Sequence, residues 1–352
     1  MTILMIVDAW FPHTGGGQVH AWELSKALAD KGQKVVILTR NNGQWDDFHS
    51  GIEVKRLGRS SRFANLKERL DFLLKAFFIA LTTDCDVIHL HAFSPGLLAP
   101  PLKLLKRKPV IFTVHGQGMK IAGLPLGEKL LEELVFYKIG YDGLITVAKQ
   151  TLRKKCAAKK IWVIPNGVNV ADWKKAQRQR KKVRHLIFVG RLFYDKGVDL
   201  LIEAFKKLKR EDLDLTIVGE GPELVKLKRL AKGEKIKFTG KMEGQKLVNE
   251  IKKADLYIMP SRVEGMPIRL LEAWAAKIPM VVSNVGDNSE YVIDNKSGFL
   301  AEPDAESLTL SIANAVESKK LVNMAELGYK KVQAFTWSNI ADQTLQVYNE
   351  VI

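Results

Sequence analysis

Two glutamates on either side of a proline are the residues of this chain best placed to do chemistry. Proline suits the first position of a helix, so Glu264 should lie in the loop before Pro267, and Glu272 should lie inside the helix. The free N–H groups and the dipole of the first helical turn form a site for an anion such as a phosphate. Beside that anion, Glu264 could accept hydrogen bonds from sugar hydroxyls and Glu272 from a ribose. The segment therefore favours a nucleotide-sugar site, and we include Met266, Pro267 and Ile268 among its nucleotide-binding residues.

The same glutamates have a second interpretation. Paired acids are common on exposed helix faces, where water solvates both carboxylates. The role of Arg269 bears on this choice, because a cation in the first helical turn opposes the helix dipole. It could pair with Glu272, contact a phosphate, select an acidic sugar or simply face outward. The choice between binding site and surface helix depends on the rest of the chain.

Two cations lie in a second glycine-bounded turn. Arg191 and Lys196 fall between Gly190 and Gly197, after a strand-like run, so both side chains can converge on one diphosphate. Fixed cations around a leaving diphosphate stabilise its developing charge more in the transition state than in the ground state. A lone arginine and lysine in a loop are usually surface charges, but their position after a strand favours a phosphate-binding role.

A glycine run follows the first predicted strand and precedes a predicted helix. Gly15, Gly16 and Gly17 would let the backbone approach a ligand closely. Their spacing is not Gly-x-Gly-x-x-Gly, which counts against a dinucleotide-binding dehydrogenase. A tight turn between strand and helix also requires glycine when no ligand binds.

Taken together, these motifs resemble the retaining glycosyltransferases of family 4, which have the GT-B fold. The resemblance also includes Pro165-Asn-Gly-Val168 and Gly219-Glu-Gly-Pro222, and it extends over nearly the whole chain. It implies an α/β protein with two doubly wound, Rossmann-like domains that face a central cleft. It also implies transfer with retention at the anomeric carbon by front-face attack, in which the diphosphate leaves and its oxygen helps to take the acceptor proton.

The family's functional residues map onto matching positions of this sequence. The resemblance implies that His115, at the end of a predicted strand, lies beside the donor sugar, and that Gly16 and Gly17 approach the donor phosphate and sugar. It implies that Gly219 shapes a turn near the nucleotide and that the loop of Met242 meets the base. The predicted catalytic residues are Glu264, which holds the sugar, His115, Arg191 and Lys196. The base itself stays open between UDP-, GDP- and ADP-sugars.

We expect neither a metal nor a permanently bound cofactor. Two Asp-x-Asp triplets, Asp84 to Asp86 and Asp212 to Asp214, each precede a predicted strand, where turn chemistry explains them. His89 and His91 alternate on one strand and are interpreted as core or cleft-lining groups. Cys85 and Cys156 lack metal-ligand spacing and are interpreted as reduced packing residues.

The strand-like runs form two series, as expected for parallel sheets covered by helices on both faces. We predict an acceptor-binding domain over 1–172, a basic linker over 173–184, a donor-binding domain over 185–334 and a C-terminal helix over 335–352. The last is expected by resemblance to pack back on the first domain. The predicted strands begin with Ile3 to Val7 and include Val110 to Val114, His185 to Val189, Leu215 to Val218 and Leu256 to Met259.

The composition bears on location and partners. The N-terminus has no basic leader or cleavage site, which favours a cytoplasmic protein. A net charge of +16 favours association with anionic lipid. Nucleic acid is not expected, because the chain lacks the motifs of nucleic-acid-binding folds. The apolar stripe from Leu66 to Leu81 has helical spacing and is interpreted first as a core-facing helix, with contact to an anionic membrane surface as the alternative.

The sequence thus predicts a retaining glycosyltransferase that moves a hexose from a nucleotide diphosphate sugar to a hydroxyl of a glycan or lipid-linked acceptor. Two other enzyme types with this fold, an epimerase and a phosphorylase, lack support in these motifs. The alternative from another class is a catalytically silent protein that binds a nucleotide sugar or an anionic membrane surface.

Overall fold

The structure is a computed structural model that describes residues 1–12, 15–58, 66–91, 93–116, 126–152, 155–174 and 182–352. It divides into two compact units. Unit 1 comprises Met1–Gly167 and Trp337–Ile352, and unit 2 comprises Val168–Thr336.

Unit 1 is built on a seven-stranded sheet in which all neighbouring strands are parallel. Its order is β3-β2-β1-β4-β5-β6-β7, so the chain starts in the middle and winds outward in both directions. The central strands are almost fully buried, as expected when helices cover both faces. The strands are Thr2–Val7 (β1), Lys34–Arg40 (β2), Ile52–Leu57 (β3), Val87–His91 (β4), Val110–Val114 (β5), Gly143–Thr146 (β6) and Lys160–Val163 (β7).

The helices of unit 1 pack on this sheet, and the C-terminal helix packs against the first one. An ion pair of 2.8 Å between Lys31 and Asp342 joins these two helices at the surface. The α-helices are Gly16–Asp30 (α1), Leu66–Thr82 (α2), Phe93–Gly96 (α3), Ala99–Lys106 (α4) and Leu126–Glu133 (α5), and the C-terminal one is Trp337–Val351. Shorter helical turns cover Leu134–Lys138 and Lys149–Thr151.

Unit 2 has a six-stranded parallel sheet in the order β10-β9-β8-β11-β12-β13. Its strands are His185–Val189 (β8), Asp214–Val218 (β9), Ile236–Gly240 (β10), Leu256–Met259 (β11), Met280–Ser283 (β12) and Phe299–Ala301 (β13). Its helices are Val170–Trp173 (α6), Val198–Leu208 (α7), Leu224–Leu230 (α8), Gly244–Lys253 (α9), Ile268–Ala275 (α10), Asn288–Tyr291 (α11), Ala305–Glu317 (α12) and Leu321–Val332 (α13). The C-terminal helix Trp337–Val351 is α14, and helical turns cover Tyr194–Lys196 and Gln333–Phe335.

The observed architecture confirms the predicted fold class of two doubly wound α/β domains. The sequence reasoning omitted two strands, β3 and β13. Strand β3 is an edge strand with charged and partly exposed residues, so it lacks the continuous apolar run of a buried strand. Strand β13 is apolar but has only three residues, fewer than the four to eight that indicate a strand in a sequence.

The observed division between the units differs from the predicted boundaries. Val168 donates its N–H to the Phe335 carbonyl oxygen at 2.8 Å, and α6 packs against α10, so residues 168–172 belong to unit 2. Most of the predicted basic linker lies outside the described residues. At its end, Lys182 contacts Asp212 at 3.5 Å.

The core-facing interpretation of the α2 stripe is wrong for half of it. The core face of α2 consists of Phe72, Leu73, Ala76 and Ala80, whereas four larger residues of the stripe are exposed. Both cysteines are buried with free thiols. No helix within the described ranges is long and apolar enough to span a bilayer.

Candidate active site

The carboxyl ends of the strands in unit 2 approach one another more closely than side chains would allow. A Cβ on Gly197, whose φ is +63°, would stand 2.0 Å from the carbonyl oxygen of Pro260. A Cβ on Gly219, whose φ is +150°, would stand 1.8 Å from the carbonyl oxygen of Gly190. Glycine is therefore required at both positions, because only glycine permits this backbone conformation and this approach. The turns that follow β8, β9 and β11 consequently meet at one edge of the sheet.

At this edge a lysine and a glutamate form a direct contact. Lys196 donates from Nζ to Oε1 of Glu264 at 2.8 Å, and the Ser261 hydroxyl donates to the same oxygen at 2.7 Å. Only 19% of the lysine side chain and 11% of the glutamate side chain are exposed. The pair links two residues that the sequence assigned separately, one to the phosphate and one to the sugar.

Arg262 holds the two turns in place. Its guanidinium forms a bidentate contact with Asp199 at 2.7 and 2.8 Å and also donates to the Tyr194 carbonyl oxygen. Its backbone N–H donates to the carbonyl oxygen of Asp195 at 2.8 Å. Burial raises the pKa of Asp199, but the hydrogen bonds and charge of Arg262 outweigh this and the net pKa is lowered. Arg262 thus connects the helical turn of Lys196 to the loop of Glu264.

The helix after this loop begins one residue later than predicted. Ile268 is the first residue of α10, and Pro267 is its N-cap with extended backbone angles rather than its first helical residue. Met266 is buried and Ile268 is half-buried. The Pro267 side chain makes no capping hydrogen bond to the N–H groups at this end of α10.

Glu272 forms an ion pair with Arg269, the residue for which the sequence left several roles open. Nη1 of Arg269 donates to Oε2 of Glu272, one helical turn apart. Burial raises the pKa of Glu272, and the charge of Arg269 opposes that rise only in part. Burial lowers the pKa of Arg269, but the charge of Glu272 outweighs it and the net pKa is raised. Of the alternatives for Arg269, the structure shows pairing with Glu272.

The remaining predicted residues of unit 2 lie on neighbouring turns. Arg191 is exposed and stacks its guanidinium 4.8 Å from the ring centroid of Phe193, so the two predicted cations make different contacts. The Gly219 N–H donates to the carbonyl oxygen of Gly240 at 2.9 Å. Met242 follows two residues later and is half-buried. Gly219 and the loop of Met242 therefore lie side by side.

In unit 1, His115 belongs to a cluster of four histidines. Its Nε2 lies 3.1 Å from Nδ1 of His91, and its ring centroid lies 4.7 Å from that of His20. The His91 and His89 centroids are 4.1 Å apart. A Cβ on Gly17 would stand 3.2 Å from His115, so a side chain there would press on the imidazole. Gly16, by contrast, has open space around it and starts α1 rather than lying in the preceding turn.

Burial keeps these imidazoles neutral. It lowers the pKa of His20 to about 4 and that of His89 to about 3, and it lowers the pKa of His91 and of His115 well below the ordinary range. The positive charge that any one histidine would carry also disfavours protonation of its neighbours, as for His91 and His115. The cluster is therefore uncharged at neutral pH.

The cluster has two outer nitrogens without a hydrogen-bond partner among the described residues, Nε2 of His91 and Nδ1 of His115. Two neutral imidazoles that share one hydrogen bond must present one N–H and one lone pair at their outer nitrogens. The two outer nitrogens lie at opposite ends of the hydrogen-bonded pair, so each can bond a different ligand hydroxyl, one as donor and the other as acceptor. A cavity of about 50 Å³ is lined by Val7, Ala9, Gly17, Gln18, His91 and His115.

The inner members of the cluster are fixed by hydrogen bonds. His89 shares its two nitrogens with the hydroxyls of Tyr348 and Thr113, each at 2.6 Å, and His20 contacts the Asn166 amide oxygen at 2.8 Å. The interpretation of His89 as a core residue agrees with these contacts. The sequence reasoning gave no role to His20, although its position three residues after Gly17 places both on one helix face.

The structure accounts for the aspartate triplets without a metal. Asp86 accepts from the Thr2 N–H at 2.7 Å, Asp212 contacts Arg210, and Asp214 contacts His185. No group of histidine, cysteine, aspartate or glutamate side chains with a metal-binding arrangement occurs in the described part of the chain.

A substitution at Gly286 tests whether turnover depends on the position of the Glu264 loop. Its φ is +57°, and an added Cβ would stand 2.2 Å from the carbonyl oxygen of Glu264. We expect Gly286→Ala to displace the loop and lower turnover by about a hundredfold, the size of effect that small misplacements of catalytic groups produce. The measurement is the initial rate with a nucleotide-sugar donor.

Gly233→Ala is the matched control for this prediction. Gly233 also has a positive φ, +88°, but an added Cβ would meet nothing within 4 Å. Both variants should lose roughly 1 kcal/mol of stability from the strained backbone, and only Gly286→Ala should lose activity. Equal activity in the two variants would contradict a role for loop position.

Comparison with known proteins identifies the class to which this fold and site belong. A family model described as glycosyl transferases group 1 matches residues 169–331, and one described as glycosyltransferase family 4 matches residues 14–172. The protein is therefore a glycosyltransferase of GT-B architecture. More specifically, the chain belongs to the group 1 glycosyltransferases of family 4.

Individual relatives match along their length. The chain is 28% identical to an uncharacterized glycosyltransferase of Methanocaldococcus jannaschii, over 99% of this chain and 98% of the relative. It is 27% identical to a glycogen synthase of Mycobacterium tuberculosis, over 99% of this chain and 94% of the relative.

Solved structures share the fold. Sucrose-phosphate synthase from Thermosynechococcus elongatus superposes with a TM-score of 0.86 at 22% identity, covering 99% of this chain and 98% of that one. Anabaena HepE in complex with UDP-glucose superposes with a TM-score of 0.78 at 17% identity, covering 99% of this chain and all of that one.

Proposed function

We propose that this glycosyltransferase moves a hexose from a nucleotide diphosphate sugar to a hydroxyl of a glycan or lipid-linked acceptor, with retention at the anomeric carbon. The observation that carries the proposal is the contact between Lys196 and Glu264 at the strand ends of unit 2, just before the N-terminus of α10. A cation for phosphate and an acid for sugar hydroxyls are thereby held within 2.8 Å of each other. In a nucleotide sugar the phosphate and the hexose are directly bonded, so neighbouring phosphate-binding and sugar-binding groups can contact both parts of one donor.

The leaving diphosphate is stabilised by three positive groups. Lys196 is half-buried, where electrostatic interactions are less screened than at the surface. The N–H groups at the N-terminus of α10 offer hydrogen bonds and a dipole to the phosphates. Arg191 is exposed and stacked over an aromatic ring, so its guanidinium can turn toward the diphosphate when the donor binds. Their charge matters most when the bond to the anomeric carbon breaks.

The bond changes balance without an enzyme-bound intermediate. The bond between the anomeric carbon and the phosphate oxygen breaks, and its electron pair leaves with the diphosphate. The acceptor oxygen bonds to the anomeric carbon from the same face, and its proton passes to the phosphate oxygen that has just left. Glu264 accepts hydrogen bonds from the hexose hydroxyls. When Lys196 binds the phosphate instead of Glu264, the carboxylate of Glu264 can accept these hydrogen bonds.

The histidine cluster of unit 1 suits a sugar hydroxyl. The outer nitrogens of His91 and His115 each offer one hydrogen bond, one as donor and the other as acceptor, and both imidazoles are neutral. We propose that His115 binds a hydroxyl of the sugar substrate, and that Gly16 and Gly17 let the backbone approach the donor beside it. The role is hydrogen bonding rather than proton transfer.

The nucleotide is placed by Glu272 and by the turns of Gly219 and Met242. Glu272 keeps one oxygen for Arg269 and can accept from a ribose hydroxyl with the other, as its two carboxylate oxygens have several lone pairs. HepE, a protein with this fold, has been crystallised with UDP-glucose, which supports a UDP-sugar as the first donor to test beside GDP- and ADP-sugars.

Donor binding is measurable before any acceptor is known. We expect one class of nucleotide sugar to stabilise the protein by about 2.7 kcal/mol at a concentration a hundredfold above its Kd, seen as a rise in melting temperature. The panel consists of UDP-, GDP- and ADP-hexoses, each against its nucleoside monophosphate. The best binder is then incubated with candidate acceptors, and the anomeric configuration of the product is read by NMR. Inversion would contradict retention, and the absence of stabilisation by every member would contradict the donor assignment.

A further inference from the structure

Helix α2 exposes an apolar stripe beside its core contacts. The α2 stripe comprises Leu66, Leu70, Leu74 and Phe78, whose exposed fractions range from 51% to 74%. Residues four apart advance by about 40° around a helix, so these side chains lie within an arc of about 120°. They form a continuous row along nearly the whole length of the helix.

This row is not a by-product of core packing. The buried core contacts of α2 are Phe72, Leu73, Ala76 and Ala80, and the partly buried Phe77, Ile79 and Leu81 also pack on the core. The apolar surface of the helix is therefore wider than the described part of the fold covers, and the α2 stripe is the part left exposed. A contiguous exposed apolar surface on a folded protein marks an interaction site, whereas scattered exposed residues do not.

A neighbouring helix extends the apolar surface of unit 1. Helix α4 packs against α2, and Lys106 near its end donates from Nζ to the Leu81 carbonyl oxygen at 3.2 Å. Leu104 and Leu105 on α4 are 74% and 60% exposed. Exposed leucines thus occur on two adjacent helices.

The surroundings of these leucines are basic. Helix α2 carries three exposed basic residues, Lys67, Arg69 and Lys75, and two acidic residues, Glu68 and Asp71, of which Asp71 contacts Lys75 at 2.7 Å. The sequence from Leu102 to Lys108 contains four basic residues and no acidic one. Together with the net charge of +16, this pattern is complementary to an anionic partner. A second copy of the chain would bring the same positive charge and be repelled.

We propose that the α2 stripe docks on the surface of an anionic lipid bilayer, with its leucines and Phe78 entering the boundary between headgroups and acyl chains. Aliphatic and aromatic side chains on one helix face with lysine and arginine around them are the pattern of helices that lie in this interface. The basic side chains attract anionic headgroups, and the apolar row provides the area that is removed from water. This inference does not depend on the identity of the sugar donor.

The first experiment measures binding of the full chain to vesicles by co-sedimentation. We expect binding to vesicles of phosphatidylcholine with phosphatidylglycerol and much weaker binding to phosphatidylcholine alone. The triple variant Leu70→Ser, Leu74→Ser, Phe78→Ser should bind at least about tenfold more weakly, because each apolar side chain contributes about a factor of ten when fully transferred out of water. Since all three side chains are exposed, the fold should be retained, which circular dichroism and the melting temperature check.

The matched control removes apolar area of the same exposure from unit 2. Val225 and Leu310 are 63% and 61% exposed, and the variant Val225→Ser, Leu310→Ser should bind the vesicles like the parent protein. Equal loss of binding in both variants would overturn the assignment to α2, as would failure of the parent protein to bind anionic vesicles.

The second experiment separates lipid from protein partners. Replacing Lys67 and Arg69 by glutamine should lower binding to the anionic vesicles, and added salt should lower binding of the parent protein, because exposed charges are screened. Sedimentation velocity then reports the oligomeric state. If the triple serine variant changes a dimer into a monomer and leaves vesicle binding unchanged, the stripe is an interface between copies and the proposal is overturned.

Discussion

Replacing Glu264 by alanine should lower turnover by about a hundredfold to a thousandfold and leave the fold intact. This is the size of effect seen when one polar group that contacts the reacting centre is removed. The carboxylate contacts both Lys196 and Ser261, so its loss removes the group proposed to hold the hexose and leaves the lysine with only its longer ion pair to Asp195, at 3.7 Å. Freed from Glu264, Lys196 should still bind the diphosphate. We therefore expect kcat to fall far more than the affinity for the nucleotide.

The control is a second lysine–glutamate pair in the same unit. Glu326 accepts from Lys277 at 2.7 Å, and Glu326→Ala should leave turnover unchanged within about twofold, because such partly exposed pairs contribute little. The measurements are steady-state kinetics with the donor found in the thermal panel and the affinity for the free nucleoside diphosphate.

The same comparison distinguishes an enzyme from a silent binding protein. If Glu264→Ala binds the nucleotide sugar like the parent protein and the parent protein itself transfers no sugar to any acceptor or to water, the binding-protein alternative gains support. If Glu264→Ala retains full turnover, the assignment of this residue to the sugar is wrong even though the protein is an enzyme.

The fold was predictable from the sequence because its main signal is local. Buried parallel strands appear as short, continuously apolar runs, and all eleven predicted runs, including β5, β8 and β11, were bounded to within two residues. The strands that were missed lie at sheet edges: β3 mixes charged and apolar residues, and β13 is apolar but only three residues long. The prediction that the α2 stripe faces the core is wrong for its four exposed residues. Helical periodicity indicates an apolar face, but it does not indicate whether the rest of the fold covers that face.

The site was predictable only as separate segments. Lys196 and Glu264 lie 68 residues apart, and nothing local indicates that their side chains meet. The contacts that hold them depend on Arg262, to which the sequence analysis assigns no role, and on Gly286, whose close approach to the loop of Glu264 appears only in the folded chain. In unit 1, the sequence identified His115 but not the partners His91 and His20, because three separate elements bring them together.

The histidine cluster should make the protein sensitive to mild acid, which is the second large effect we expect. Histidine has a pKa of about 6.5 in an unfolded chain, whereas burial lowers the pKa of His20 to about 4 and that of His89 to about 3 in the folded protein. Between these values the unfolded chain binds protons that the folded chain does not. The stabilisation is therefore fully present above about pH 6.5 and is lost as the pH falls toward the folded values.

The expected loss is large compared with the stability of an ordinary domain. Each neutral buried histidine contributes a slope of about 1.4 kcal/mol per pH unit, so His20 alone accounts for about 3 kcal/mol between pH 6.5 and pH 4. His91 and His115, whose pKa values are also lowered by burial, add to the slope. Since most domains are stable by only about 5–15 kcal/mol, we expect unfolding near pH 5. The measurement is the free energy of unfolding from denaturant titrations at a series of pH values.

Substitutions at the two partners of the hydrogen bond between His89 and Tyr348 distinguish a loss of stability caused by proton binding from one caused by the lost contact. His89→Gln removes a titrating group, so the curve of stability against pH should flatten by about 1.4 kcal/mol per pH unit near pH 5, whatever it loses at neutral pH. Tyr348→Phe removes the hydroxyl that contacts Nδ1 of His89 but keeps the imidazole buried, so stability should fall by a similar amount at every pH and the slope should persist. If both variants shift the curve without changing its slope, His89 is not a source of the acid sensitivity, and the slope comes from the other three histidines or from carboxylates whose pairing acid disrupts.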